Sequence, residues 1–465
     1  MSQKQMRIGM SLRGHGYHLA AWRHPDVPAD ASVRLDHYIH TAQTAERGKC
    51  DLIFFADGLG IRERDVPRGA LARQGRDIVD LDPLTLLPAL AMVTTHIGLV
   101  ATASTTYYEP YQVARTFASL DLISQGRAGW NVVTSWSEAE ALNFNRDHQL
   151  EYATRYARAR EFVDVVQGLW DSWDADAFLY DKTSGQFYDE RKLHMLQHQG
   201  TYFSVRGPLN VAPTPQRHPV IVQAGASNDG RELAAATADV VYCLPDTVEA
   251  ACAYYVDVKG RMAKYGRAPD DLKILPGLRP MVGRTTAEAH AKFHTLQALL
   301  HPLVALSTLS STFGDLSGYP LDGPVPLERQ GPQDLRSISE RLIARVRRDQ
   351  PTIRQLSQQV AGMGSGCNVI GTAEEIATVM QAWFEQGACD GFNITPPYLP
   401  GGCDEFVDLV IPVLQERGLF RTAYEGTTLR EHLGLKPAVS RHARDAGTPT
   451  AASWIPPRDP TRSMT

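Results

Sequence analysis

Three polar side chains stand at the end of a short apolar segment near the middle of the chain. Residues 126–135 read Gly-Arg-Ala-Gly-Trp-Asn-Val-Val-Thr-Ser, and the bulky and β-branched residues among them predict a short buried strand. Asn131, Thr134 and Ser135 lie within this strand or directly after it. Because an unpaired polar group costs about 1–3 kcal/mol when it is buried, we expect these side chains to hydrogen-bond a ligand where the strand ends.

Two further apolar segments are followed by polar residues in the same way. Asp57 comes directly after the predicted strand 51–56, and Thr102 ends the predicted strand 97–102. A carboxylate in the position of Asp57 can accept a hydrogen bond from the N–H of a ring, or it can cap the amides of a tight turn. Both interpretations remain open on the sequence. The small residues 102–106 would let a flat ring lie against the backbone.

A phosphate-binding turn is predicted at residues 223–231, Gln-Ala-Gly-Ala-Ser-Asn-Asp-Gly-Arg, which follow an apolar strand and begin a helix. The backbone N–H groups of this turn, the hydroxyl of Ser227 and the helix dipole suit a bound phosphate. Ala226 lies in the same turn. Tyr152 and Tyr156 stand near the start of another predicted helix and could reach the same phosphate. A plain helix cap and a packed aromatic face would use the same residues.

The loop after the first strand, residues 13–30, carries imidazole and aromatic side chains. His15, Tyr17, His18 and Trp22 suit a substrate pocket there, with His18 as a candidate catalytic proton donor. A purely structural loop is equally compatible with these residues. The sequence contains no Ser-His-Asp order, P-loop or HExxH motif, and we expect no metal site. A phosphate-binding turn without an obvious nucleophile indicates that a cofactor performs the chemistry.

Short apolar strands alternate with longer helical patterns, which predicts parallel β–α units. Eight strands can be counted, the number that a closed (β/α)8 barrel, or TIM barrel, requires. They are predicted at residues 6–12, 51–56, 97–102, 129–134, 220–224, 239–243, 272–282 and 391–395. We expect the barrel to span residues 1–420, with an insertion at about 284–365 as a candidate active-site lid. Residues 421–465 are rich in Pro, Arg and Thr and predict an extended C-terminal arm without a core.

The composition is that of a soluble globular protein: 43% of the 465 residues are hydrophobic, 21% are charged, and the formal net charge is −5. This thinly spread charge gives no basis for binding nucleic acid or an anionic membrane. No apolar run reaches the roughly 18 residues of a membrane span. The six cysteines are scattered without a CxxC pair, which favours reduced thiols and a cytoplasmic location.

Several strings in the sequence resemble those of the bacterial luciferase-like, two-component FMN-dependent monooxygenases. The similarity covers roughly residues 6–435 and points to the group of nitrilotriacetate monooxygenase, pristinamycin synthase and dibenzothiophene-sulfone monooxygenase. The strings that carry it lie at residues 21–24, 56–59, 106–111, 129–135, 155–156, 205–209, 223–225, 390–392 and 430–435.

The resemblance implies a luciferase-type barrel that receives reduced FMN as a co-substrate from a separate NAD(P)H-dependent flavin reductase. O2 would add at the flavin C4a position, and the resulting (hydro)peroxide would oxygenate a small organic molecule. A homodimer or homotetramer is expected. Ser227 and Tyr156 would hold the phosphate, and Asp57 and Asn131 would address the polar edge of the ring. The full set of implied FMN contacts is Asp57, Thr102, Asn131, Ser135, Tyr152, Tyr156, Ala226 and Ser227.

The resemblance does not imply a substrate. Thr312 stands where dibenzothiophene-sulfone enzymes have a histidine in the lid, and Tyr152 likewise replaces a histidine. Thr312 therefore joins His15, Tyr17 and Trp22 as a candidate for the substrate pocket. Two substrate classes remain open. One is an aminopolycarboxylate, for which Arg13, Arg23 and the arginines at 62–76 could supply positive charge. The other is a hydrophobic ring or an organosulfur compound.

Two other functions also remain open. One is a luciferase-like oxidoreductase that uses a deazaflavin for hydride transfer without oxygen, and the other is a catalytically silent flavin-binding protein. Oxygen consumption with FMN, NADH and a reductase separates the monooxygenase from the deazaflavin enzyme, and substrate-dependent turnover separates it from the silent binder.

Overall fold

The strands follow the predicted positions closely in the computed structural model, which describes residues 4–61, 65–329, 331 and 336–442. In chain order they are β1 (Arg7–Ser11), β2 (Leu52–Phe55), β3 (Gly98–Ser104), β4 (Ala128–Val133), β5 (Phe178–Asp181), β6 (Gln186–Tyr188), β7 (His198–Gln199), β8 (Ser204–Val205), β9 (Val220–Gln223), β10 (Val240–Cys243), β11 (Lys273–Val282), β12 (Cys367–Gly371) and β13 (Gly391–Ile394).

Eight of these strands are parallel and close into a barrel. Their order around it is β1-β2-β3-β4-β9-β10-β11-β13, and β13 pairs with β1. These eight barrel strands lie at the eight predicted positions, so the predicted (β/α)8 barrel is confirmed. Because all strands run in the same direction, their carboxyl ends meet at one mouth of the barrel.

The helices surround the barrel and bury their apolar faces against it. In chain order they are α1 (Leu35–Arg47), α2 (Pro83–Ala91), α3 (Pro110–Ile123), α4 (Glu138–Leu142), α5 (Tyr152–Trp170), α6 (Asn228–Thr237), α7 (Val248–Arg261), α8 (Thr286–Ala298), α9 (Pro302–Ser307), α10 (Ser310–Phe313), α11 (Arg336–Asp349), α12 (Ile353–Met363), α13 (Ala373–Glu385), α14 (Gly401–Glu405), α15 (Ile411–Glu416) and α16 (Leu429–His432).

Helix α2 shows how local sequence starts an element. The carboxylate of Asp82 accepts a hydrogen bond from the backbone N–H of Leu84 at 2.7 Å, and Pro83 occupies the first helical position. Such a cap satisfies a donor that the first turn leaves without a helical partner. A cap residue followed by proline is typical of a helix start.

Three sheet elements were not predicted: strand β12 and the two hairpins β5–β6 and β7–β8. Strand β11 is ten residues long; its first part pairs inside the barrel, and Leu278–Val282 pair with β12 outside it. A strand that extends beyond the barrel wall leaves backbone groups unpaired, and β12 satisfies them. Two antiparallel hairpins, β5–β6 and β7–β8, lie between α5 and β9.

The predicted insertion at 284–365 is helical and has its own small core. Helices α8 to α12 lie in it. Leu309, Phe313 and Leu356 are buried together in its core. A second cluster joins Leu19 of the first long loop to Leu300, so the insertion and this loop pack against each other at the mouth.

The C-terminal segment differs from the predicted arm without a core. Leu429, Leu433 and Leu435 are buried in one cluster with strand residues such as Val100 and Val220. We call residues 429–435 the C-terminal cap. It packs against the barrel because α16 places two leucines four residues apart on one face, a signal that the Pro- and Arg-rich composition obscured. Residues 443–465 of the predicted arm lie outside the described residues.

Candidate active site

The residues predicted to contact FMN lie at the mouth of the barrel. Asp57 follows β2, Thr102 lies in β3, Asn131 lies in β4 and Ser135 follows it. Ala226 and Ser227 follow β9 and precede α6, and Tyr152 and Tyr156 lie in the first turns of α5. The eight residues thus come from separate parts of the chain and meet on one side of the mouth.

Asn131 and Thr102 are cross-strand neighbours. The amide Nδ2 of Asn131 donates to Thr102 Oγ1 at 2.8 Å, and this hydroxyl donates to the carbonyl of Phe55 at 2.7 Å. Asn131 is only 3% exposed, yet its Oδ1 has no hydrogen-bond partner among the described residues. A buried acceptor without a donor fits a ligand that carries an N–H group.

Ser135 turns the chain at the end of β4. Its φ of 51° lies in the left-handed region, a conformation that costs a residue with a side chain of order 1–3 kcal/mol and often marks a functional turn. The Ser135 hydroxyl donates to Ser104 Oγ at 2.9 Å, and its carbonyl accepts from the guanidinium of Arg155. These bonds hold the turn beside the Asn131 amide.

Ser227 joins two segments that are 71 positions apart. Its Oγ caps α6 by accepting from the N–H of Gly230 at 3.2 Å, and it donates to the Tyr156 hydroxyl at 3.3 Å. The rings of Tyr152 and Tyr156 lie 4.9 Å apart. Three hydroxyl-bearing side chains therefore gather at a helix N-terminus, where backbone N–H groups and the dipole favour an anion.

The turn before α6 requires glycine. A Cβ on Gly225 would lie 2.7 Å from the Cα of Gly230, so a side chain there would fill the turn. Ala226 is exposed in this turn, and its carbonyl accepts from Arg231 Nε at 2.9 Å. The predicted phosphate-binding turn thus has the shape of a cradle.

Asp57 is half-buried beyond the end of β2. Burial raises the pKa of its carboxyl to about 6, and the nearby carboxylates of Asp82 and Asp80 act in the same direction. The backbone N–H of Gly58 opposes the rise. Asp57 is therefore an acceptor whose charge changes close to neutral pH.

Some of the residues predicted for the substrate pocket lie around a cleft at the mouth. His15, His18 and Trp22 line it together with Arg13, Arg76 and Asp80. His15 donates through Nε2 to the carbonyl of Ala29 at 2.9 Å. The Trp22 ring packs closely on Gly75, where a Cβ would lie 2.9 Å from it.

Tyr17 and Thr312 are placed differently. The Tyr17 hydroxyl bonds to Ser11 Oγ, and its ring lies 5.8 Å from the Arg279 guanidinium. Thr312 is 1% exposed inside the insertion, where its hydroxyl bonds to Ser339 Oγ at 3.0 Å. Thr312 lines neither this cleft nor the second one described below, and its role in a substrate pocket stays a prediction.

His18 is buried and neutral. Burial lowers the pKa of its imidazole to about 4, and the neighbouring Arg279 guanidinium lowers it as well. Its Nδ1 accepts from the N–H of Ala20 at 3.1 Å, which places the proton of the neutral ring on Nε2. At neutral pH the side chain can therefore donate a hydrogen bond, but it is not an imidazolium acid.

This low pKa predicts how acid affects stability. The unfolded chain protonates His18 near pH 6.5, whereas the folded protein resists protonation down to about pH 4. The folded state therefore loses stability as pH falls through this window. Between pH 7 and 4.5 the wild type should lose roughly 2 kcal/mol more than His18→Gln, measured by urea unfolding at both pH values. Parallel losses in the two proteins would contradict a neutral buried His18.

Arg279 is a site residue that the sequence patterns did not single out. It lies in β11, where the strand leaves the barrel at the mouth. Its guanidinium donates to the carbonyl of Met363, close to the end of the insertion. The signal was present, since Arg279 interrupts the apolar run that follows Lys273 in this strand.

The arrangement of barrel, mouth and insertion can now be compared with known proteins. The family described as luciferase-like monooxygenase matches residues 15–390, which is most of the chain. The chain belongs to the luciferase-like monooxygenase family.

Relatives in the family are similar over nearly their full length. The N-acetyl-S-(2-succino)cysteine monooxygenase of Bacillus subtilis (strain 168) is 51% identical, over 95% of this chain and 99% of that protein. Nitrilotriacetate monooxygenase component A of Aminobacter aminovorans is 48% identical, over 93% and 97%. The crystal structure of DmoA from Hyphomicrobium sulfonivorans is 32% identical, with a TM-score of 0.84 and 92% of both chains covered.

Membership of the luciferase-like monooxygenases confirms the predicted fold and the predicted class of enzyme, a flavin-dependent monooxygenase that uses O2. Within the described ranges, no helix is long and apolar enough to cross a membrane. The same residues contain no group of three His, Cys, Asp or Glu side chains that could hold a metal ion.

Proposed function

We propose that this monooxygenase uses reduced FMN, supplied by a separate NAD(P)H-dependent flavin reductase, to oxygenate a small organic molecule. The observation that carries the proposal is a site with two ends at one barrel mouth. One end is the hydroxyl cluster at the N-terminus of α6, and the other is the buried Oδ1 of Asn131, which has no partner among the described residues. Reduced FMN, when bound, supplies the electrons and the ring position at which O2 is activated.

The α6 end suits the phosphate of FMN. Ser227 and Tyr156 would donate hydroxyl hydrogen bonds, and Tyr152 would close the site from the solvent side. The exposed backbone of the turn at Ala226 would bring N–H groups to the phosphate oxygens. Because Arg155 donates to the Ser135 carbonyl, its positive charge also lies on this side of the mouth.

The β4 end suits the polar edge of the flavin ring. Asn131 Oδ1 and the Asp57 carboxylate are acceptors, so they would take hydrogen bonds from ring N–H groups. Thr102 would act by holding the Asn131 amide with its Oδ1 free, and Ser135 by fixing the turn beside it. The Asn131 role uses an acceptor that the described residues leave without a donor.

The raised pKa of Asp57 makes FMN affinity depend on pH. An N–H donor binds the ionised carboxylate, and the carboxyl of the free protein protonates below about pH 6. The affinity of the wild type for reduced FMN should therefore fall as pH decreases from 7 to 5, approaching about tenfold per pH unit. Anaerobic titrations measure the affinity for reduced FMN in wild type and Asp57→Asn in parallel. Protonation of FMN itself affects both proteins equally, so the difference between them reports the Asp57 carboxyl. An equal fall in both proteins would count against Asp57 as a ring contact.

We propose that the insertion is a lid and that the loop 13–30 is its facing wall. Leu19 and Leu300 pack together across the two segments. Closing them over the mouth would exclude water, which would protect the activated oxygen from loss as hydrogen peroxide. His18 would act from the wall as a neutral N–H donor toward the reacting oxygen.

The proposal of a partner reductase is based on the similar proteins. One of them is named as component A of nitrilotriacetate monooxygenase, a name that implies a further component. We extend that arrangement to this chain, together with a homodimer or homotetramer that light scattering can test. The six cysteines are all free, which supports a reducing, cytoplasmic location.

The decisive experiment follows the fate of O2. Wild-type enzyme, FMN, NADH and a flavin reductase are supplied with ¹⁸O2 and a panel of small organic acids and sulfides. Mass spectrometry is expected to find one ¹⁸O atom in a product, and a reaction without the enzyme is the control. Turnover of a substrate without incorporation of ¹⁸O would count against a monooxygenase, and a deazaflavin in place of FMN would then be tested. Flavin binding with no product from any substrate would favour a silent flavin-binding protein.

A further inference from the structure

Arg279 is a half-buried cation at the barrel mouth. Its guanidinium donates to the Met363 carbonyl and lies over the Tyr17 ring at 5.8 Å. Its Nε is buried and meets no hydrogen-bond acceptor from the part of the chain that the structure describes. The charged group is thus partly removed from water, and the described residues use only part of its donor capacity.

No described carboxylate lies within ion-pairing distance of Arg279. Arg13, at the neighbouring cleft, shows the contrast, since it forms an ion pair with Asp77. Burial lowers the pKa of Arg279, and only the hydroxyls of Tyr242 and Tyr17 act against this. Partial burial of a charge without an ion-pair partner is unfavourable, and an anionic ligand would offset this effect.

A second cleft opens directly beside this guanidinium. Its walls include the apolar side chains of Met281, Phe293 and Ile370, and His18 separates it from the first cleft. Asn368 also lines it, and the Oδ1 of this residue lacks a donor within the described ranges. The cleft therefore offers a cation, an apolar wall and a free acceptor, which suit a carboxylate on a short carbon skeleton that also bears an N–H group.

We propose that Arg279 binds a carboxylate of the organic substrate in this cleft and so makes the enzyme specific for carboxylate-bearing molecules. The guanidinium fork matches a carboxylate with two parallel hydrogen bonds. The proposal rests on the proposed monooxygenase function, because it names the substrate class of the same mouth. It also explains why an arginine interrupts the apolar strand β11.

The glycines at the end of the insertion help to shape this site. Gly364 has a φ of 62°, and a Cβ on it would lie 2.8 Å from a terminal nitrogen of Arg279. Only a residue without a side chain lets the chain turn this close to the guanidinium. The glycine-rich string before β12 is thus a wall of the cleft.

The test measures binding of two defined probes, nitrilotriacetate and N-acetyl-S-(2-succino)cysteine, by calorimetry with and without reduced FMN. Wild type is compared with Arg279→Met and Arg279→Lys. The matched control is Arg354→Met, since Arg354 is an exposed arginine of the insertion paired with Asp322. We expect at least one probe to bind wild type and the control equally, Arg279→Met to lose at least about 30-fold in affinity, and Arg279→Lys to lose less.

The uncharged methyl esters of both probes complete the test. Esters should bind wild type no better than they bind Arg279→Met. Unchanged probe affinity in Arg279→Met, binding of the esters as tight as that of the acids, or no binding of either acid to wild type would each overturn the proposal. Affinity for reduced FMN should be the same in all four proteins, which also shows that the variants fold. A failure of FMN binding in wild type would instead overturn the proposed function, while the calorimetry with the acids would still judge Arg279.

Discussion

Replacing Ser227 with Asp is expected to weaken the affinity for reduced FMN by at least about 100-fold. The new carboxylate would stand where the proposed phosphate binds, and like charges placed against each other cost several kcal/mol. Ser227 also caps α6 by accepting from Gly230. Because Asp is as good a helix cap as Ser, the variant keeps its fold while its phosphate site is blocked.

Anaerobic fluorescence titration with reduced FMN measures this loss. Ser227→Ala is the matched control: it removes one hydroxyl without adding charge, and its affinity should fall by only about 5- to 20-fold. Riboflavin, which lacks the phosphate, should bind wild type and Ser227→Asp alike. If Ser227→Asp binds FMN as tightly as Ser227→Ala does, the phosphate does not bind at the α6 turn.

A second large effect is expected far from the mouth. Arg421→Met should lower the free energy of unfolding by about 3–5 kcal/mol. The Arg421 guanidinium donates to Asp51 at 2.5 Å and to the carbonyl of His432 at 2.5 Å. The two side chains are only 7% and 0% exposed, so the substitution leaves the Asp51 carboxylate buried with the N–H of Ile8 as its remaining close partner.

Urea unfolding followed by circular dichroism measures this change. Arg417→Met serves as the control, because Arg417 forms an ion pair with Glu374 at the surface, where 66% of the glutamate side chain is exposed. Surface pairs of this kind contribute about 1 kcal/mol or less. Equal destabilisation by the two substitutions would show that the Arg421–Asp51 pair does not hold the C-terminal segment in place.

Much of the barrel could be predicted because its signals are local. The apolar run around Trp130 predicts β4, and Asp82 followed by Pro83 predicts the start of α2, since each depends on neighbouring residues alone. The turn before α6 could be predicted for the same reason, and its role in binding phosphate stays a prediction. Its glycine at 225 and its hydroxyl at Ser227 are two positions apart in the chain.

The parts that could not be predicted depend on contacts between distant residues. Arg279 becomes a site residue only because the insertion returns beside it at Met363. Strand β12 exists because β11 extends beyond the barrel wall. The C-terminal cap is apolar only at a few positions, and its role depends on where the barrel interior lies. A sequence pattern records none of these distances.

The C-terminal cap sets the order in which the barrel can be completed during synthesis. Closure requires β13 to pair with β1, which joins Arg7 to Gly391, and the cap follows still later in the chain. Until the ribosome has released both, the leucine and valine side chains that the cap covers stay open to water. Bringing such distant segments together is slow, because the chain loses conformational entropy on closing the loop before the stabilising contacts form. Nascent chains that end before the cap should therefore be bound by chaperones.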